Sequence, residues 1–260
     1  ADDKGGEAEA ETEAEGQVSS SFRWRPAIAV EAVAEVEEDE DGHALSTALR
    51  HAYVKTSTSE AIDLDGSLLP RRLAPGLRGC DAGLMAELLR SNKKATVLRL
   101  PNNAIGPRGA ACLASLLGDA SCPPALTKLD LTGNGIACDG AVALGRALRR
   151  NTTLVEIFLA GNHIGERGGT ALGHAMSHST TLRACTLALY ALPVQALRGG
   201  AGAPQQVSAL DLAQSQLAPV DALLIGAMLP GNATLGRLSL HANSLCGVRD
   251  GWGSYAPFGL

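Results

Sequence analysis

The chain has 260 residues, a formal net charge of −5 and only 3% aromatic residues. So few rings exclude the irregular, ring-filled interior common in compact enzymes, whereas a core of Leu, Ala, Val and Ile suits a regular, repeated layer. There is no run of about 18 apolar residues, so no transmembrane helix is expected, and the start does not read as a basic-then-apolar leader.

Residues 1–42 hold 14 Asp or Glu against Lys4, Arg23 and Arg25, a net charge of −11, while the rest carries +6. This predicts an acidic, largely disordered N-terminal segment joined to a mildly basic body. Within it, residues 26–38 (PAIAVEAVAEVEE) have the spacing of one short helix, with Ile28, Ala32, Val33 and Val36 on one side. Residues 43–54 (HALSTALRHAYV) predict another, with Leu45, Leu49 and Tyr53, and residues 43–58 are assigned as an N-terminal capping helix.

From residue 59 to 246 the chain repeats itself. Leu126 begins LTKLDLTGNGI, Leu154 begins LVEIFLAGNHI, Ala95 begins ATVLRLPNNAI and Leu235 begins LGRLSLHANSL. Weaker copies start at Ser59 (SEAIDLDGSLL), Leu182 (LRACTLALYAL) and Val207 (VSALDLAQSQL). The fourth positions, Ile62, Leu98, Leu129, Ile157, Cys185, Leu210 and Leu238, are separated by 36, 31, 28, 28, 25 and 28 residues. Three returns to 28 fix the phase.

Each part of the unit has a physical role. The L-x-L alternation sends two side chains to one face of a short strand and the residue between them to the other. Asn103, Asn134, Asn162 and Asn243 turn the chain off the strand, where a carboxamide can satisfy buried backbone groups. A helix follows, with Leu113 and Leu117, Leu144 and Leu148, or Leu172 and Met176 at fourfold spacing. No single unit can bury its own apolar side; stacked units share one core.

Residues 95–246 resemble the ribonuclease-inhibitor-like class of leucine-rich repeats, above all in LDLTGNGIACDGAVALGRALRRNTTL and IFLAGNHIGERGGTALGHAM. The same class occurs in NOD-like receptors, the Ran GTPase-activating protein and axonemal proteins. The resemblance implies an α/β solenoid of about seven repeats, with parallel strands on the concave side and helices on the convex side. Four departures interrupt it: an insertion containing residues 70–80, the stretch 118–124, Tyr190 in place of Asn with a loop at 198–206, and a last unit with a strand but no helix. Trp252, Tyr255 and Phe258 mark residues 247–260 as an aromatic tail that would cover the last unit.

The candidate chemistry is sparse. Six cysteines without a C-x-x-C pair read as reduced thiols. Asn151-Thr152-Thr153 and Asn232-Ala233-Thr234 have the glycosylation pattern, but both fall just before a strand, which favours a structural role in the repeat. His174 and His178 have a spacing suited to a metal but lack further ligands, and the Gly-rich stretch 198–204 lacks a phosphate-binding motif. Asp63 and Asp65 are expected on an open sheet, too exposed for acid–base work. The basic residues Arg90, Lys93, Lys94, Arg146, Arg149, Arg150 and Arg167 lack the stacking aromatics of a nucleic-acid surface. No catalytic, cofactor or metal site is expected, nor a nucleic-acid or membrane partner.

The outward strand positions remain. Arg99, Lys128, Asp130, Glu156, Phe158, Thr186, Asp211, Arg237 and His241 are the candidate partner-binding residues, with Phe158 as a single exposed ring among charges. The function expected is a non-enzymatic protein-interaction scaffold, a subunit of a larger assembly, with further contacts through the acidic segment and the aromatic tail. The alternative is a GTPase-activating protein resembling the Ran GTPase activator. A cytoplasmic location is expected, with nuclear, cytoskeletal or axonemal placement also open.

Overall fold

The computed structural model describes residues 60–65, 77–79, 82, 83, 86, 89, 90, 92, 94–119, 126–187, 190–199 and 207–245, and the strand backbones of 247–249 and 255–257. The expected capping helix, the acidic segment and the side chains of the aromatic tail lie outside the described residues.

Strands and helices alternate. Strand β1 (Ala61–Asp63) and strand β2 (Val97–Arg99) are followed by helix α1 (Gly106–Leu117). Strand β3 (Lys128–Asp130) precedes helix α2 (Ala137–Leu148), and strand β4 (Glu156–Phe158) precedes helix α3 (Gly165–His178). β1 to β4 and strand β5 (Ala184–Thr186) pair in parallel, with Ile62, Leu98, Leu129, Ile157 and Cys185 in one row. All five are at most 1% exposed. This is the row of fourth positions that the sequence spacing picks out.

The helices close the core from one side, where Leu113, Leu144 and Leu172 are buried. Helix α2 packs on both α1 and α3. Small residues set the separation, since a Cβ at Gly145 would stand 2.8 Å from the backbone oxygen of Ala171.

Asparagines join the units. Asn103 Nδ2 donates to the carbonyls of Leu64, Leu100 and Pro101, Asn134 Nδ2 to Leu100 and Thr132, and Asn162 Nδ2 to Leu131, Leu159 and Ala160. Each side chain therefore satisfies carbonyls of its own turn and of the preceding unit. The residue before the turn Asn has positive φ in Asn102, Gly133, Gly161 and Ala242. Glycine suits that left-handed backbone best.

The repeat strands pair in parallel, but after β5 an additional antiparallel strand intervenes and the repeat strands divide between two sheets. The chain turns back into strand β6 (Ala191–Pro193), antiparallel to β5, and a short helix α4 (Val194–Arg198) follows. The Asn slot of this unit holds Tyr190, which has no carboxamide to hold the turn as Asn103, Asn134, Asn162 and Asn243 do. Strands β7 (Ala209–Asp211) and β8 (Arg237–Ser239) form a separate parallel pair, joined by helix α5 (Pro219–Met228) and a 3-10 turn, Leu229–Gly231. Helix α5 packs directly on α3. Strands β9 (Gly247–Arg249) and β10 (Tyr255–Pro257) pair as an antiparallel hairpin.

Candidate protein-binding face

Parallel pairing lines up the outward residues in rows across β1 to β5. One row runs Asp63, Arg99, Asp130, Phe158, Thr186; its neighbour runs Ala61, Val97, Lys128, Glu156, Ala184. Six of the nine candidates therefore meet on one surface. Asp211, Arg237 and His241 belong to the region of β7 and β8, in the second sheet.

The charges on the main surface are largely paired within the chain. Arg99 lies between two carboxylates, with Nη1 2.5 Å from Asp63 and Nε 3.6 Å from Asp130. Lys128 Nζ is 2.9 Å from Glu156. Partial burial strengthens such pairs relative to fully exposed ones, because water screens them less. Asp65 extends the network by accepting from Asn102 Nδ2 at 3.1 Å.

Three expectations change here. Asp63 is not simply exposed: burial raises its carboxyl pKa, Arg99 opposes the rise, and the Asp65 and Asp130 charges add to it. Phe158 is half-buried rather than open. Thr186 is buried, at 9% exposure, where β6 returns antiparallel and pairs Ala191 with it. It offers a partner little surface.

On the second sheet, Asp211, Arg237 and His241 are exposed. The Asp211 carboxyl is held below its usual pKa, first by the Ala213 N–H at 2.9 Å, then by Ser239 and the nearby His241. His241 Nδ1 lies 3.0 Å from Ser239 Oγ.

With this geometry in view, residues 124–145 and 150–173 match the family model described as Leucine Rich repeat. These two segments are leucine-rich repeats. A comparison with curated proteins gives no match. Among solved structures, the chain is similar to the leiomodin-1 actin-binding site 2 at 19% identity and TM-score 0.46, covering 54% of this chain and 76% of that one. It is also similar to the tropomodulin C-terminal domain of Caenorhabditis elegans at 15% identity and TM-score 0.44, covering 57% and 83%.

The leucine-rich-repeat framework accounts for the two glycosylation-like sequences. Asn151 Oδ1 accepts from the N–H groups of Thr153 and Leu154, and its Nδ2 donates to Leu117 O at 3.0 Å. Asn232 does the same with Thr234 and Leu235, while its Nδ2 donates to Ala196 and Leu197. Both carboxamides lock the entry to a strand.

The remaining polar candidates are scattered. His178 Nδ1 contacts its own helix at His174 O, 2.8 Å away. Among the described residues, no three His, Cys, Asp or Glu side chains gather as metal ligands. Cys112 and Cys138 are free and half-buried; Cys185 is free and buried, and burial raises its thiol pKa, with the Asp221 charge adding to the rise. Among the described residues, no helix is long and apolar enough to cross a membrane.

Sequence reading missed one feature. A cleft of about 620 Å³ opens among the turn Asn162–Glu166, Leu187, the start of α5 and Leu245.

Proposed function

We propose that this protein is a non-enzymatic protein-interaction scaffold that holds a partner on the outward face of β2 to β4, in a solenoid of about seven units of the ribonuclease-inhibitor-like class. The 28-residue spacing and the alternation of strand and helix support the architecture. One observation carries the function: Phe158 is the only ring in its row, and Asp130 stands beside it in register. The neighbouring charges of Arg99, Lys128, Asp130 and Glu156 are already paired within the chain. Such a surface offers a half-buried ring to a partner without leaving strong unpaired charges to be desolvated. Interfaces concentrate their energy in a central aromatic ringed by polar residues, with truncation costing roughly 2 kcal/mol or more.

Arg237, His241 and Asp211 extend the surface onto the second sheet, and the acidic segment 1–42 with Trp252, Tyr255 and Phe258 supplies secondary contacts. The location consistent with this reading is cytoplasmic or cytoskeletal. The test is co-purification from the native source followed by titration of the purified partner. Phe158→Ala is expected to weaken binding by tenfold or more with stability unchanged, about 1.4 kcal/mol. Unchanged affinity would end the concave-face reading. Stimulated GTP hydrolysis by a candidate GTPase in the presence of this chain would instead favour the GTPase-activator alternative.

A further inference from the structure

The loop between α2 and β4 carries side chains that neither the core nor the outward face uses. It reads Arg149-Arg150-Asn151-Thr152-Thr153, with Arg149, Arg150 and Thr152 exposed. Among the described residues, neither of these guanidinium groups meets a carboxylate, whereas Arg99, Lys128 and Arg167 each do. The Thr152 hydroxyl also meets no partner among the described residues, while the adjacent Thr153 Oγ1 accepts from Asn151 Nδ2 at 3.3 Å.

Spacing sets this hydroxyl apart. Thr152 is the one Ser or Thr in the chain with arginines both two and three residues before it. Thr96 follows Lys93 and Lys94 at the same offsets, but it is half-buried and its hydroxyl donates to Glu60 O at 3.0 Å. Thr180 is the equivalent of Thr152 in the next unit. It is exposed in the same kind of loop, where Ser179 Oγ accepts from Leu182 N–H as Asn151 Oδ1 does from Leu154. Ser177 and His178 stand there in place of the two arginines. The fold therefore presents one loop twice, with the cations and without them.

We propose that Thr152 is a phosphorylation site for a protein kinase that selects arginine two and three residues before the acceptor. Carboxylates along the kinase groove make that selection, and each guanidinium offers them a fork of donors. Thr152 Oγ1 bonds to the γ-phosphorus of ATP as the bond from that phosphorus to the oxygen of the β-phosphate breaks. The hydroxyl proton passes to the kinase's catalytic carboxylate, and ADP leaves. Residues 149–153 lie outside both α2 and β4. An extended pose therefore needs release of the Asn151 bonds to Leu117, Thr153 and Leu154 and of the end of α2, and helix ends open at low free-energy cost. The product adds a charge of about −1.5 to −2 beside two unpaired arginines, which become its partners. The loop lies outside the outward rows of β2 to β4, so the site is independent of binding there.

The experiment incubates the folded full chain with ATP and the catalytic subunit of the cyclic-AMP-dependent protein kinase, and locates phosphate by tandem mass spectrometry. Thr152 is expected as the major modified residue, with Thr180 unmodified. Thr152→Ala, and separately Arg149→Ala combined with Arg150→Ala, should lower the initial rate of incorporation about tenfold or more, as expected when one side of a charge pair is removed or the acceptor is lost. Thr152→Ser retains incorporation. Unfolding of a variant would open the loop and raise the rate, so a loss reports recognition and not misfolding. Phe158→Ala leaves incorporation unchanged, so this inference and the concave-face reading fail separately. No phosphate on the folded chain, a rate that survives in either alanine variant, or equal labelling of Thr180 would overturn the proposal.

Discussion

Asn162 Nδ2 donates to the carbonyl of Leu131, one unit earlier, at 2.8 Å. The same side chain accepts from Asn134 and Ile136 and so ties two units together on both sides. Asn162→Ala would leave several partly buried backbone groups without partners, each costing about 1–3 kcal/mol when unmet. Part of that returns through water at the open cleft. The expected loss is about 3 kcal/mol, read as a lower urea midpoint with an unchanged slope. A loss below about 1 kcal/mol would mean that the ladder contributes shape rather than stability.

Ala137 begins α2 with φ at +52, where the equivalent residues of the neighbouring helices are Gly106 and Gly165, at +62 each. A left-handed backbone costs a non-glycine residue about 1–2 kcal/mol. Glycine also loses more chain entropy on folding, which offsets part of the gain. Ala137→Gly is expected to stabilise the protein by about 0.5–1 kcal/mol, with thermal unfolding shifted upward. A lower melting temperature would show that the Ala137 methyl makes contacts outweighing the strain.

Gly145 illustrates close approach instead of conformational freedom. Its missing Cβ would meet the carbonyl oxygen of Ala171 at 2.8 Å, in the backbone of the adjacent helix. Gly145→Ala forces α2 and α3 apart and should destabilise the chain by about 1–3 kcal/mol, against the helix-propensity gain of alanine. Equilibrium denaturation reads the sign directly; a stabilised variant would refute the tight packing.

The strand register was legible because alternation in L-x-L has only one way to bury both leucines, and a spacing near 28 residues stacks those pairs. The turn asparagines were legible for the same reason: Asn103, Asn134, Asn162 and Asn243 occupy one slot. Pairing on the outer face was not. Whether Arg99 reaches Asp63 or Asp130 depends on strand neighbours 31 and 36 residues apart, and on side-chain reach that the pattern does not encode. The antiparallel return at β6 carried one weak sign, Tyr190 for Asn, but the loss of a turn holder does not say where the chain goes next. The burial of Thr186 followed from that return.

Asp221, in the first turn of α5, is buried; its Oδ2 accepts from the Ala218 N–H at 2.8 Å, and among the described residues Oδ1 meets no partner. Burial raises its carboxyl pKa above the ordinary 3.8, opposed by the Ala218 N–H. A raised folded pKa means that the folded state holds the proton more tightly. This contribution to stability is full below about pH 3.8 and is lost as pH rises through the raised value. Asp221→Asn retains an oxygen for Ala218 and removes the titration. Relative to the parent chain, its stability should therefore improve between pH 4 and pH 7, measured by urea unfolding at both. A constant difference would show that the carboxylate keeps an ordinary pKa.

Arg99 separates Asp63 from Asp130 on the outer face, and all three side chains are about a quarter exposed or less. Removing the guanidinium leaves two carboxylates in one row, on β1 and β3, with no cation between them. Arg99→Met keeps much of the aliphatic contact, so the change in stability reports mainly on charge. The expected cost at pH 7 is about 1–2 kcal/mol, between that of an exposed pair and that of a buried one. Its pH dependence follows from Asp63, whose pKa burial already raises and Arg99 holds down. In the variant the folded pKa rises further, so Asp63 takes up its proton at higher pH and the penalty falls as the solution is acidified. The stability gap between parent and variant should narrow between pH 7 and pH 4.5. A gap that stays constant or widens on acidification would mean that Arg99 acts through packing, with the ion pairs contributing little.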